Sequence, residues 1–313
     1  MSNVFISVCI PAYKRIEYLK RLLDSISIQR SRDFEVIVTD DSPSDDVRLL
    51  CKEYENSFPI SYYKNEVAKG SPENWNEAIR HARGEWIKLM HDDDWFASPD
   101  SLSEFTNAVN QNSSASFFYS AYSNVFESDK ETAVFINAFR KKELKKNPVT
   151  LFSKNVIGPP SVTLVRNDKR FWYDTQFKWL VDIDFYIRYL KEASAFYINK
   201  SLIKVGVNEE QVTKSSFRVA SIEIPENFYL LDKVGIKSLK NILVYDTFWR
   251  MIRNLKITTG SIIRENGYTG ELHLVIQAMI KWQATIPAFF LQIGIFSKII
   301  MWLHYLLYRR YLE

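Results

Sequence analysis

The sequence predicts an α/β fold: a mostly parallel sheet flanked by helices, followed by a helical C-terminal region that associates with a membrane. Three observations carry this expectation. Strand-like and helix-like segments alternate four times within the first 110 residues, the pattern of a parallel sheet with helices on both faces. Acidic residues stand at the ends of the second and fourth strand-like segments, the edge at which open sheets of this kind hold their ligands. After about residue 220 the chain changes to Phe, Tyr, Trp, Ile and Leu segments interleaved with basic residues. The boundary is therefore placed between a domain of residues 1–218 and a region of residues 219–313.

The elements follow in order. Residues 5–11 form an apolar run that reads as a buried strand, and Ile16, Leu19, Leu22, Leu23 and Ile26 then recur at helical spacing. Residues 34–40 are a second strand, and residues 45–54 are helical, with Val47, Leu50 and Cys51 on one face. A short strand at 59–64 precedes a helix at 72–82, where Pro72 is tolerated in the first turn. Gly84 ends that helix and residues 85–90 form the next strand. A helix at 100–110 and a strand at 116–122 follow. The middle of the chain is less regular. Its basic stretch Arg140-Lys141-Lys142-Glu143-Leu144-Lys145-Lys146 reads as a solvated helix face, the turn Gly158-Pro159-Pro160-Ser161 leads into a strand at 162–166, and residues 182–190 are helical.

Composition narrows the function. With 46% hydrophobic and 25% charged residues among 313, the chain is globular and large enough for a sizeable core. From Lys240 onward nine Lys/Arg face four Asp/Glu, which leaves the first 239 residues nearly neutral. The two cysteines, Cys9 and Cys51, lie in apolar-periodic segments and read as buried free thiols, consistent with a reducing cytosol. The N-terminal residues show no secretory signal.

The chemistry concentrates in Glu85-Trp86-Ile87-Lys88-Leu89-Met90-His91-Asp92-Asp93-Asp94-Trp95, where an apolar strand runs into three adjacent carboxylates. Like charges side by side repel, and a divalent cation among them makes the arrangement reasonable. Mn²⁺ or Mg²⁺ accepts carboxylate oxygen and leaves positions open for phosphate, as the diphosphate of a sugar nucleotide would require. Asp40 and Asp41 at the neighbouring strand end can accept from a base N–H or ribose hydroxyls, and Tyr13 offers a ring to a nucleobase. The plainer readings are a helix cap at Asp40-Asp41-Ser42-Pro43 and a structural ion site at the triplet. His81, His273 and His304 read as structural or surface residues, and His91 as a hydrogen-bonding neighbour of the acids. No Ser-His-Asp order, Cys-His pair or glycine-rich phosphate loop is visible, and the acidic strand-end site argues against nucleic acid as a partner.

Taken in order, Val8-Cys9-Ile10-Pro11-Ala12-Tyr13-Lys14-Arg15, Phe34-Glu35-Val36-Ile37-Val38-Thr39-Asp40-Asp41-Ser42, Ala82-Arg83-Gly84-Glu85-Trp86-Ile87 and the acidic triplet resemble family 2 glycosyltransferases. These are inverting enzymes with the Rossmann-like GT-A fold. The match in order and spacing runs to about residue 110 and more weakly to about 215. The resemblance implies that Pro11, Ala12, Tyr13 and Arg15 line a nucleotide pocket, with Asp41 meeting the uracil. Counting back from Pro99-Asp100 gives Asp92-x-Asp94 as the DXD motif, with Asp94 on the metal and Asp92 and Asp93 toward ribose or metal waters; Asp92 is also a candidate metal ligand. Asn76 lies where the family carries an Arg-Asn pair, and Trp75 replaces the Arg. In Val181-Asp182-Ile183-Asp184, Asp182 takes the place of the catalytic base, although Val181 stands where the family has Glu. Read without the family, Asp182 is an acid favoured by a helix N-terminus, and Asp184 can pair with Arg188. Gly158-Pro159-Pro160-Ser161 resembles the turn beside the acceptor cleft, and Glu209-Glu210-Gln211-Val212-Thr213 a late loop over the nucleotide.

The implied partners are a UDP-sugar donor and a saccharide acceptor on a polyprenyl-diphosphate lipid, in bacterial surface polysaccharide (O-antigen or capsule) assembly. A sugar nucleotidyltransferase, or a non-catalytic nucleotide-sugar-binding protein of the same fold, is the alternative; the first would want a glycine-rich loop after strand one. The apolar stretch 286–307 is long enough to span a bilayer by count, but Gln292, Lys298 and His304 interrupt it. With Trp302, Tyr305 and Tyr308 beside Arg309 and Arg310, it reads as a helix lying on the cytoplasmic membrane. The expected location is the cytoplasm, peripheral on the inner face of that membrane.

Overall fold

The computed structural model describes residues 5–208 and 218–312. The chain divides into two compact units: one takes residues up to Lys145, Val156–Thr175 and Arg188 onward to the end of the sheet, the other Lys146–Asn155, Gln176–Ile187 and the C-terminal residues. The second unit thus draws two short segments from before residue 218.

The first unit is built on one sheet. Its strands are β1 (Ile6–Ala12), β2 (Phe34–Asp40), β3 (Ile60–Lys64), β4 (Trp86–Leu89), β5 (Asp94–Phe96), β6 (Phe117–Phe126), β7 (Glu131–Val134), β8 (Thr163–Arg166) and β9 (Ala195–Val207). They are arranged β3-β2-β1-β4-β8-β6-β9-β5, with β7 on β6. The first four strands are mutually parallel. β8 then enters antiparallel to β4 and β6, so the sheet is mixed where the sequence pointed to a mostly parallel one. Every residue of β1, β2 and β4 is buried, the continuous apolar reading expected of strands covered on both faces.

β4 and β5 are joined by residues 90–93 yet stand four strand positions apart. A flat sheet would separate them by about 19 Å. Four linking residues reach only about 18 Å when fully extended, and here they turn, with the Asp94 N–H on the His91 carbonyl at 3.1 Å. The sheet must therefore curl, and the curl carries the acidic triplet across its ligand edge.

Helices α1 (Ile16–Ser27), α2 (Asp46–Glu53), α3 (Glu73–His81) and α4 (Ser101–Gln111) cover the sheet. α1 buries Leu19, Leu22, Leu23 and Ile26 at the spacing read from sequence; truncating one of these leucines to Ala would cost about 2–5 kcal/mol. α3 packs on β1 and β2, fixed by the Thr39 hydroxyl on the Asn74 carbonyl at 3.0 Å. α5 (Ala138–Lys146) buries only Leu144, as a solvated basic helix should. Both cysteines are free and buried.

The second unit is helical. α6 (Val181–Glu192) begins in it, and α7 (Ala220–Val234), α8 (Ile242–Asn254), α9 (Gly260–Glu265), α10 (Leu274–Thr285), α11 (Ala288–Gln292) and α12 (Gly294–Tyr308) follow. Its core gathers Phe228, Phe248, Trp249 and Tyr268 around α8. The apolar stretch read as one element breaks at Ile293-Gly294 into α11 and α12. Among the described residues no helix is long and apolar enough to cross a membrane.

Candidate active site

The parallel β1, β2 and β4 bring their C-terminal ends to one edge. Pro11 and Ala12 close β1, buried, with the Ala12 carbonyl accepting the Asp41 N–H at 3.0 Å. Tyr13 follows, 49% exposed, with the Lys14 ammonium 4.7 Å from its ring centre. Lys14 adopts a left-handed backbone (φ 65°) and donates its N–H to the Ser42 hydroxyl at 2.7 Å. Asp40 is structural: its carboxylate accepts from the Ser42 N–H, the Tyr62 hydroxyl and Lys64. The Asp41 carboxylate accepts from Asn65 Nδ2 (2.7 Å) and the Lys69 N–H (3.0 Å) on Oδ1, and from the Gly70 N–H (2.7 Å) on Oδ2. An oxygen of this kind takes two donors, and among the described residues Oδ2 has one.

The acidic triplet divides its work. Arg15 grips Asp92 with both Nε and Nη2 and reaches Asp93 Oδ2 with Nη1 at 3.2 Å. Burial pushes the Asp92 carboxyl up to about 7 even against that cation. Asp93 also accepts from Asn208 Nδ2 at 3.1 Å, while its carbonyl accepts from Arg21, whose guanidinium lies 3.7 Å from the Trp95 ring centre. Asp94 accepts from the Gly206 N–H at 3.2 Å and from Ser161. Burial first, then the charge of Asp93, push its carboxyl well above the usual carboxylate range. β9 passes so close here that a Cβ on Gly206 would lie 2.4 Å from the Asp93 carbonyl, so this position requires glycine.

His91 completes the group. Its N–H donates to the Ser161 hydroxyl at 2.9 Å, its ring packs 4.7 Å from that of Trp75, and burial lowers its imidazole to about 4, which keeps it neutral. Its Nε2 is buried without a hydrogen-bond partner among the described residues. Ligand atoms of His91, Asp93 and Asp94 all lie within 4.8 Å of one another. An orphaned imidazole nitrogen and two buried carboxylates suit a divalent ion. The structure thus groups Asp94 with Asp93 and His91, whereas the sequence reading had paired Asp94 with Asp92. Both Asp92 oxygens accept from Arg15.

Asn76 lies on α3. Its amide makes reciprocal bonds with the Tyr173 backbone at 2.8 and 2.9 Å, and only 3% of the residue is exposed. Lys88, fully buried on β4, donates to the Ser161 and Thr163 carbonyls; the strand pattern gave no sign of this role. Residues 209–213, read as a closing loop, lie outside the described residues.

In the second unit, Asp182 sits in the first turn of α6, partly buried. Its carboxylate accepts from Asn155 Nδ2 (2.7 Å) and from the Ile183 N–H (2.8 Å). Burial pushes it up to about 7, with the negative charge of Glu226 adding to the shift. Glu226 on α7 accepts the N–H groups of Lys178, Trp179 and Leu180 at 2.9, 3.0 and 2.8 Å. A carboxylate from a distant element thus holds the backbone just before α6, and negative charge there suits a helix N-terminus. Asp184 pairs with Lys233 at 2.8 Å.

A mixed, curled sheet flanked by helices, with acids at the ends of its parallel strands, is the architecture of the GT-A class of folds. The profile of Glycosyl transferase family 2 matches residues 7–170, more than half of the chain, and the protein belongs to that family. An uncharacterized glycosyltransferase of Haemophilus influenzae is 28% identical over 201 residues, 63% of this chain and 66% of that protein. Abequosyltransferase RfbV of Salmonella typhimurium is 35% identical over 103 residues, covering 32% of this chain and 31% of its own. The GalNAc(5)-diNAcBac-PP-undecaprenol beta-1,3-glucosyltransferase of Campylobacter jejuni is 33% identical over 91 residues, covering 28% and 29%. The matched regions thus span less than two thirds of these relatives. Among solved structures, Staphylococcus aureus TarS with UDP-GlcNAc superposes with a TM-score of 0.60 at 16% identity, over 88% of this chain and 78% of that one. The mannosyltransferase PcManGT of Pyrobaculum calidifontis with GDP-Man and Mn²⁺ gives 0.53 at 14% identity, over 95% and 85%. Both likenesses concern the fold.

Proposed function

We propose that this protein is an inverting, metal-dependent glycosyltransferase. It moves a sugar from a UDP-sugar to a hydroxyl of a saccharide carried on a polyprenyl-diphosphate lipid, at the cytoplasmic face of a membrane, in surface polysaccharide assembly. The observation that carries the reading is the His91–Asp93–Asp94 cluster at the strand-end edge of a family 2 fold. The molecules bound to TarS and the named acceptor of the Campylobacter relative support the UDP-sugar and the lipid carrier.

His91, Asp93 and Asp94 would hold the ion, which when bound supplies positive charge to the departing diphosphate. Asp41 takes the uracil N–H on Oδ2, and Tyr13 lies against the base. Asp92, held by Arg15, keeps that guanidinium beside the triplet. As the acceptor oxygen bonds to the anomeric carbon and the bond to the diphosphate oxygen breaks on the opposite face, the hydroxyl proton passes to the Asp182 carboxylate. A carboxyl titrating near 7 is matched to that task at cytosolic pH. The test is UDP release from UDP-sugars with a saccharide acceptor, in the wild type, Asp94→Ala and Asp182→Ala. Both variants are expected to lose turnover; full activity in both would refute the mechanism.

A further inference from the structure

α12 is built inside out. The side chains it buries include Ser297 and His304 alongside Met301, and these polar groups are used: the Ser297 hydroxyl accepts from Trp249 Nε1 (3.2 Å) and Arg253 (2.9 Å), and His304 Nδ1 meets the Tyr245 hydroxyl at 2.6 Å. The exposed side carries Ile295, Phe296, Ile299, Trp302, Leu303 and Leu306. At 3.6 residues per turn, with Leu307 these occupy an arc of about 140°. Phe289 and Phe290 on α11, 66% and 44% exposed, extend the same apolar surface in sequence. An exposed run of this kind marks a docking surface rather than ordinary scatter.

Charge selects the occupant. Residues 272–312 contain Lys281, Lys298, Arg309 and Arg310 and no Asp or Glu. All four cations are exposed. A protein partner meeting so apolar a face has no need of an acid-free border, whereas an anionic bilayer attracts each cation and takes up the apolar stripe below. Trp302, Tyr305, Tyr308 and Tyr311 have the amphipathic rings that favour the headgroup level. Fifteen residues of helix span about 22 Å, too short to cross a hydrocarbon core of about 30 Å, so the helix lies in the plane of the surface.

We infer that α11 and α12 form an interfacial docking surface for an anionic phospholipid bilayer, entered by the Ile295–Leu306 stripe and rimmed by Lys298, Arg309 and Arg310. This deepens the lipid-acceptor reading by naming the surface that meets the membrane. The experiment is co-sedimentation of the full chain with vesicles of phosphatidylcholine alone or mixed with phosphatidylglycerol, at low and high salt, beside sedimentation velocity without lipid. The wild type is expected to pellet with the phosphatidylglycerol vesicles, and less so at high salt. The triple variant Lys298→Gln/Arg309→Gln/Arg310→Gln should weaken binding by about a hundredfold, each cation contributing roughly a factor of five. Ile295→Ser/Ile299→Ser/Trp302→Ser should abolish binding while leaving UDP release with a soluble acceptor unchanged; all three positions are exposed, so folding is not at stake. Failure of the wild type to bind these vesicles overturns the inference, as does a lipid-free dimer that the serine variant dissolves. Vesicle binding without turnover would leave the docking surface standing and count against the transferase reading alone.

Discussion

Replacing Asp182 with Asn should stabilise the protein at pH 8 while removing catalysis. The carboxyl has an ordinary value of 3.8 and is pushed up to about 7 in the fold, chiefly by burial. The native state therefore binds its proton more tightly than the unfolded chain does. The stability this confers is complete below pH 4 and is lost as pH rises through about 7. Three units correspond to about 4 kcal/mol, and partial solvent contact brings the expected gain for the amide to about 2 kcal/mol. Asn keeps the acceptor for the Ile183 N–H, and its NH₂ meets the oxygen of a turned Asn155 amide. In a chain of this size the gain is about 3 °C in Tm. The assay is thermal unfolding of both proteins at pH 5 and pH 8, beside UDP release. The variant should melt higher at pH 8, show little difference at pH 5, and lose about 10²–10⁴ in kcat. Lower stability at pH 8, or retained turnover, would refute the assignment of a strained, proton-accepting carboxylate.

Four further outcomes follow from the same geometry. Glu226→Gln removes the charge that helps raise Asp182, so the acid limb of kcat against pH should move to lower pH; Glu226→Ala, which orphans three N–H groups, should cost about 3 kcal/mol or more in denaturant unfolding. Gly206→Ala places a Cβ against the Asp93 carbonyl and should cost about 1–3 kcal/mol while weakening Mn²⁺ binding by calorimetry. His91→Ala should weaken Mn²⁺ binding more than Mg²⁺ binding, since only the imidazole separates their preferences; equal loss for both ions would remove His91 from the ligand set.

The first half of the sheet was legible because β1, β2 and β4 are covered on both faces and read as unbroken apolar runs. The second half was not. β9 mixes exposed and buried positions along thirteen residues, and β8 joins the sheet antiparallel through contacts distant in sequence. The triplet announced itself by charge repulsion, but its division did not: Arg15 claims Asp92 across 77 residues, and a lone His beside acids carries no local signal of a free Nε2. Glu226 was invisible for the same reason, since the N–H groups it holds lie 46 to 48 residues earlier. The C-terminal region was read as apolar and basic, but Gly294, which splits it, and the polar buried face of α12 became clear only from packing.

The most direct test of the proposed transfer is UDP release from a UDP-sugar and saccharide acceptor by the wild-type protein, measured with Mn²⁺, after chelation, and after Mn²⁺ is restored. The His91–Asp93–Asp94 cluster predicts turnover that disappears on chelation and returns with the ion. An unchanged rate in the chelated protein would contradict it.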